Sequence, residues 1–199
     1  MRIILASGSP RRREILAGLG EDFEIMVPET DENMDTADPA MLVRGLSLRK
    51  GRAVRERLVA AGEDIRDTLI ISSDTAVFCA GEILGKPADR ADARRMLSML
   101  SGREHWVYTG VAAIYDRREA ADVARAEVKF SRIDDAEIEA YLDTGEYADK
   151  AGAYAVQGRA ACFIKEVWGD YLAVVGLPAQ TLFDLLLREF NIRLPGIRQ

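Results

Sequence analysis

Strand-like and helix-like segments take turns along the whole chain, and this alternation limits the possible folds more than any other feature of the sequence. Apolar RIILAS runs into a Ser-Gly-Ser-Pro turn and then into a helical stretch with Ile15, Leu16 and Leu19 on one face and Gly20 to end it. Ser9 suits the N-cap of that helix and Pro10 its first position. EDFEIMVP alternates as a second strand, and PETDENMDTADP is a polar loop. Asp38 caps a long helix expected to send Met41, Leu42, Leu46, Ala53, Val54 and Leu58 to the core. TLIISSDTAVF reads as a strand with a polar interruption, GEILGKP as a turn-rich loop, and ADARRMLSML as a helix capped by Asp89. EHWVYTGVAAIYD and ADVARAEVKFSRI predict two long antiparallel neighbours. Asp134 and Glu137 have capping-box spacing before IEAYL. AACFIKEVW and DYLAVVG read as strands, and PAQTLFDLLLREF as the last helix. The order predicts an α/β fold, a mixed sheet with flanking helices, in one domain over residues 1–199.

Several function classes fall away on composition. With 48% hydrophobic and 30% charged residues the chain reads as a soluble globular protein. No apolar run approaches the roughly 18–20 residues of a membrane span. RIILA is too short for a secretory leader and arginines follow it, so the expected location is cytoplasmic, with no membrane partner. Cys79 and Cys162 lack metal or redox spacing and are expected as a pair of buried thiols in a reducing cytosol, not a disulfide or a zinc site. His105 is the sole histidine, which excludes a multi-histidine metal site and any Ser-His-Asp triad that does not use it. Beside Trp106 at a strand start, it is expected to be a packed or surface residue with no catalytic role. A net charge of -6 weighs against a nucleic-acid polymer as partner, so affinity for phosphate has to come from local arginines and lysines.

Five stretches could carry chemistry. Arg11, Arg12 and Arg13 stand at the first turn of the first helix, where the helix dipole is already positive. Free N–H groups there favour an anion, and Gly8 allows close approach to the backbone. A polyphosphate accounts for the clustered charge; an exposed turn facing water is the alternative. Asp74 lies in the middle of an apolar strand, where a carboxylate is costly unless paired or metal-bound. It is a candidate Mg²⁺ ligand or general base, or else a strand-end residue bound to backbone N–H groups. GEILGKP is not a P-loop, because three residues rather than four separate its glycines and Pro87 follows Lys86. Lys86 could still meet a phosphate as a point charge. Glu29, Asp31, Glu32 and Asp35 would repel a nucleotide unless a cation bridged them, and otherwise form a solvated acidic loop. DKAGAYAVQG is dense in small residues, and Gln157 offers the donor and acceptor that base recognition requires.

LASGSPRRREILAGLG, SSDTAVFCAGEILGKP, YTGVA, TGEYADKAGAYAVQG and GDYLAVVGLP follow one another from Ile4 to about Leu186. Together they resemble the Maf family of nucleoside triphosphate pyrophosphatases. The resemblance implies an elongated, ITPase-like α/β body with two lobes around a nucleotide cleft, usually a homodimer. It implies hydrolysis of a nucleoside triphosphate at the α–β anhydride with Mg²⁺ or another divalent cation. Asp74 matches the family's proton acceptor, and Arg11, Thr75 and Gln157 match positions that set substrate choice. Ser7, Arg12, Glu32, Lys50 and Lys86 match polar positions of the cleft, Glu32 joining Asp74 as a metal-site candidate. DKAGAY…QG with a late VVGLP looks like the dTTP/UTP-directed branch rather than the one acting on 7-methyl-GTP. A second reading, a nucleotide-binding regulator of cell division and septum formation, shares the cleft and differs in turnover.

Overall fold

The computed structural model describes residues 1–194 and contains a seven-stranded mixed sheet with helices packed on it. β1 (Arg2–Leu5) lies parallel between β2 (Glu24–Ile25) and β3 (Thr68–Cys79). α1 (Pro10–Gly18) connects the first two strands and α2 (Pro39–Ala60) leads into the third. From β3 the sheet turns antiparallel through β5 (Glu104–Tyr115), β6 (Arg118–Phe130) and β7 (Ile164–Gly169). β4 (Glu82–Leu84) folds back on the end of β3. α3 (Arg90–Leu100), α4 (Asp135–Leu142), α5 (Tyr171–Val175) and α6 (Ala179–Phe190) complete the regular structure.

Alternation along the strands sorts the core onto two faces. Ile4 and Ile70 meet Val54 and Leu58 of α2 on one side. Ile3, Leu5, Leu69 and Ile71 meet Leu182, Leu185 and Leu186 of α6 on the other. Covered on both faces, β1 and the first half of β3 read as unbroken apolar runs. A third cluster gathers Val77, Leu84, Leu97, Val107, Val128 and Phe130 around the far half of β3. α2 lies so close to β5 that a Cβ on Gly110 would overlap the carbonyl of Val43, so only glycine serves there.

The strand edges place the site. One edge of β3 pairs with β5 from Leu69 to Phe78. The other edge pairs with β1 only as far as Ile71 and with β4 only from Val77. Residues 72–76 therefore have no described strand beside them on that edge, although they sit in the middle of a sheet.

Several expectations needed correction. DYLAVVG is not a strand: Asp170 accepts a hydrogen bond from the N–H of Ala173 at 3.1 Å and caps α5, which Gly176 ends at φ 128. AACFIKEVW becomes a strand only at Ile164, after a 3-10 turn over Arg159–Phe163. EDFEIMVP shortens to two paired residues at the sheet margin, and the GEILGKP loop contains β4, entered through Ala80 and Gly81, both at positive φ. Met41 is 58% exposed; the buried face of α2 is Val43, Leu46, Ser47, Lys50, Gly51, Val54 and Leu58. Ser9 occupies the N-cap position of α1 without a side-chain capping bond, and Ser7 Oγ accepts from the Ser9 N–H instead. The Asp38, Asp89 and Asp134–Glu137 caps all form. Both cysteines are free, but only Cys79 is buried as expected; Cys162 is exposed in the 3-10 turn before β7. No described helix is long and apolar enough to cross a membrane.

Candidate active site

A cavity of about 560 Å³ opens where β3 lacks its neighbour, a size suited to a small ligand. Ser7, Arg11, Arg12, Glu32, Lys50, Asp74, Thr75 and Lys86 all line it. Gln157 does not: it is exposed, and the wall nearest to it in sequence is formed by Asp149, Lys150, Ala151, Tyr154 and Val156.

Arg12 does the work of the missing strand. Its Nη1 donates to the carbonyl of Ser73 at 2.7 Å and its Nε to the carbonyl of Gly176 at 2.8 Å. Longer contacts reach Ser7 Oγ at 3.4 Å and Thr75 Oγ1 at 3.3 Å. A planar fork with several N–H donors can satisfy two carbonyls at once, which an ammonium cannot. Every one of these partners is a neutral oxygen, and no carboxylate among the described residues is hydrogen-bonded to Arg12. Burial lowers the pKa of Arg12 from its ordinary value, opposed by Asp74 and Glu32, yet arginine stays a cation. Arg11 is half-buried at the cavity wall and Arg13 faces solvent. Of the three clustered arginines, one thus braces the sheet, one borders the cavity and one is exposed.

Opposite charge enters through a short chain of ion pairs. Lys50 is buried on the core face of α2, and its Nζ lies 2.5 Å from Asp74 Oδ1 and 2.7 Å from Glu32 Oε1. Lys86 Nζ reaches Glu32 Oε2 at 3.0 Å. Burial pushes the Glu32 carboxyl up, but hydrogen bonds from Lys50 and Lys86 outweigh it and hold the pKa at about 2. Among the described residues nothing hydrogen-bonds Asp74 Oδ2, which is left for the cavity. Two carboxylates that converge on one ammonium form a hard-oxygen site for positive charge, and this suits a divalent cation. No three His, Cys, Asp or Glu side chains gather among the described residues, so substrate oxygens and water would have to fill the rest of its shell.

Residues that spacing alone did not single out hold these groups in place. Ser73 Oγ lies 2.8 Å from the Gly110 carbonyl and 2.9 Å from that of Gly176. Thr109 Oγ1 donates to the Ala173 carbonyl at 2.7 Å and lies 3.1 Å from Thr75 Oγ1. His105, 1% exposed, meets the hydroxyl of cavity-lining Tyr154 at 2.9 Å through Nε2. Burial drops its pKa to about 3, so the ring is neutral, and its Nδ1 has no partner among the described residues.

The Staphylococcus aureus Ham1 protein superposes on 65% of this chain and 72% of its own, with a TM-score of 0.48 and 11% identity. A dTTP/UTP pyrophosphatase of Thermoanaerobacter sp. (strain X514) is 43% identical over 98% of this chain and all of the relative. That of Symbiobacterium thermophilum is 47% identical over 93% of this chain and 92% of its own. That of Bacillus anthracis is 42% identical over 96% of each. The family model described as Maf-like protein matches residues 2–189, and with these near-full-length relatives it shows that the chain belongs to the Maf family.

Proposed function

We propose that this protein is a nucleoside triphosphate pyrophosphatase that hydrolyses dTTP and UTP to the monophosphate and pyrophosphate, clearing nucleotides from the cellular pool. The relatives named for that reaction support it. The observation that carries it is a carboxylate, Asp74, with one oxygen locked on buried Lys50 and the other left for a cavity bordered by cations.

The triphosphate lies against the 7–12 turn, with Arg11 and Lys86 as point charges and Arg12 contributing positive potential from within the wall. Glu32 and Asp74 would hold a divalent cation such as Mg²⁺, which would supply neutralisation of charge on the phosphate chain. Asp74 Oδ2 accepts a proton from the water that attacks the α-phosphorus; the bond to the bridging oxygen breaks and pyrophosphate leaves. Positioning and preset charge do most of the catalysis. Thr75 touches the substrate beside Asp74, and the uracil or thymine is read by backbone groups of residues 151–154 and by Gln157, which has to turn in from its exposed position outside the cavity to reach it. Kinship with the family supports a cytoplasmic homodimer with the cleft between two lobes.

The test is pyrophosphate release from dTTP, UTP, CTP, GTP, ATP and 7-methyl-GTP, with and without Mg²⁺, by wild type and Asp74→Asn. Metal-dependent release mainly from dTTP and UTP is expected, with no turnover by a folded Asp74→Asn protein. Nucleotide binding without release would favour the regulator instead, although a pure binder has no use for an activated carboxylate.

A further inference from the structure

Glu146 lies behind the cavity wall, in the turn after α4, and is not among the residues that face the cavity. Its Oε2 accepts from the backbone N–H of Arg159 at 3.0 Å and its Oε1 from the hydroxyl of Tyr141 at 3.2 Å. The carboxylate rests directly on Gly158: a Cβ at that position would overlap it. Gly158 has φ -116, outside the positive-φ region that favours glycine. The backbone therefore does not call for glycine there; the carboxylate does. Glu146 is also within electrostatic reach of the cavity. Burial works against the charge on Arg11, and the attraction of Glu146 is the first to oppose it.

The turn that Glu146 grips carries Gln157 and follows directly on the Tyr154–Val156 wall. We propose that Glu146 is a positioning residue for base selection, clamping the 157–159 turn so that Gln157 and the adjoining wall meet the base in one geometry. This rests on the reading of Gln157 given above.

Calorimetry with the α,β-imido analogues of UTP and CTP tests it without requiring turnover. The UTP-over-CTP affinity ratio should fall about tenfold in Glu146→Ala. It should stay within about threefold of wild type in Glu146→Gln, whose amide oxygen still accepts from Arg159. Gly158→Ala should lower the ratio by itself, since its new methyl displaces the carboxylate. Adding it to Glu146→Ala should cause no further loss, because the obstacle is gone. An unchanged ratio in Glu146→Ala or Gly158→Ala, or losses that multiply in the double variant, would overturn the inference. So would a wild-type protein that binds both analogues equally. Selective binding by a wild type that never hydrolyses its substrate would refute the pyrophosphatase reading alone.

Discussion

Replacing Lys50 by Met removes the ammonium and keeps most of the aliphatic stem. The Lys50 side chain is 10% exposed and that of Asp74 12%, so the variant leaves a nearly buried carboxylate without its ion partner. Breaking a buried pair from one side costs about 3–5 kcal/mol, because the remaining charge stays desolvated. Glu32 adds little, since its side chain is 44% exposed and it keeps Lys86. The lower end, about 3 kcal/mol, is therefore expected at pH 7. For a chain of this length that corresponds to a fall in melting temperature of roughly 6–12 °C. Urea unfolding of wild type, Lys50→Met, Asp74→Asn and the double variant measures the coupling directly. In the Asp74→Asn background no carboxylate is stranded in the strand, so Lys50→Met should cost less than about 1 kcal/mol, giving a coupling of about 2 kcal/mol. A loss below about 1 kcal/mol in the single variant, or an equal loss in both backgrounds, would refute the view that Lys50 and Asp74 stabilise each other.

Arg12→Lys should destabilise the protein by about 1–3 kcal/mol in urea unfolding, because one ammonium cannot serve both carbonyls and that of Ser73 is left without its donor. His105 gives a pH signature: the folded protein keeps the ring neutral down to about 3, while the unfolded chain takes up a proton below about 6.5. The unfolded state thus binds more protons between those values, and stability should drop as pH falls from about 6.5 toward 3, by up to about 1.4 kcal/mol per pH unit. The stability difference between wild type and His105→Phe should change across that window, and a difference that stayed flat would refute the assignment.

What was legible in the sequence follows from what is locally encoded. β1 was readable as a short buried apolar run, β3 and β5 because they are long and largely buried, β6 because its residues alternate, and the Asp38, Asp89 and Asp134 caps because a cap is a contact between near neighbours. α5 was not, since Val174 and Val175 look like strand residues and the helix is held by a cap at Asp170 and by packing on β5 and β6. The site is formed by an absence, the stretch of β3 that neither β1 nor β4 reaches, and no local pattern announces a missing neighbour. Arg12 shows the same limit: its charge was visible, but its partners at Ser73 and Gly176 are distant in sequence. Lys50 carries a legible signal, because it falls on the apolar face of α2 with Val43, Leu46, Val54 and Leu58. A lysine in that register asks for a buried partner.

The most direct test of the central claim is hydrolysis of UTP in H₂¹⁸O with Mg²⁺, followed by mass spectrometry of both products. The proposed attack of water on the α-phosphorus, with Asp74 as its proton acceptor, predicts one ¹⁸O in the UMP and none in the pyrophosphate. Label in the pyrophosphate, or release of orthophosphate in its place, would contradict the account.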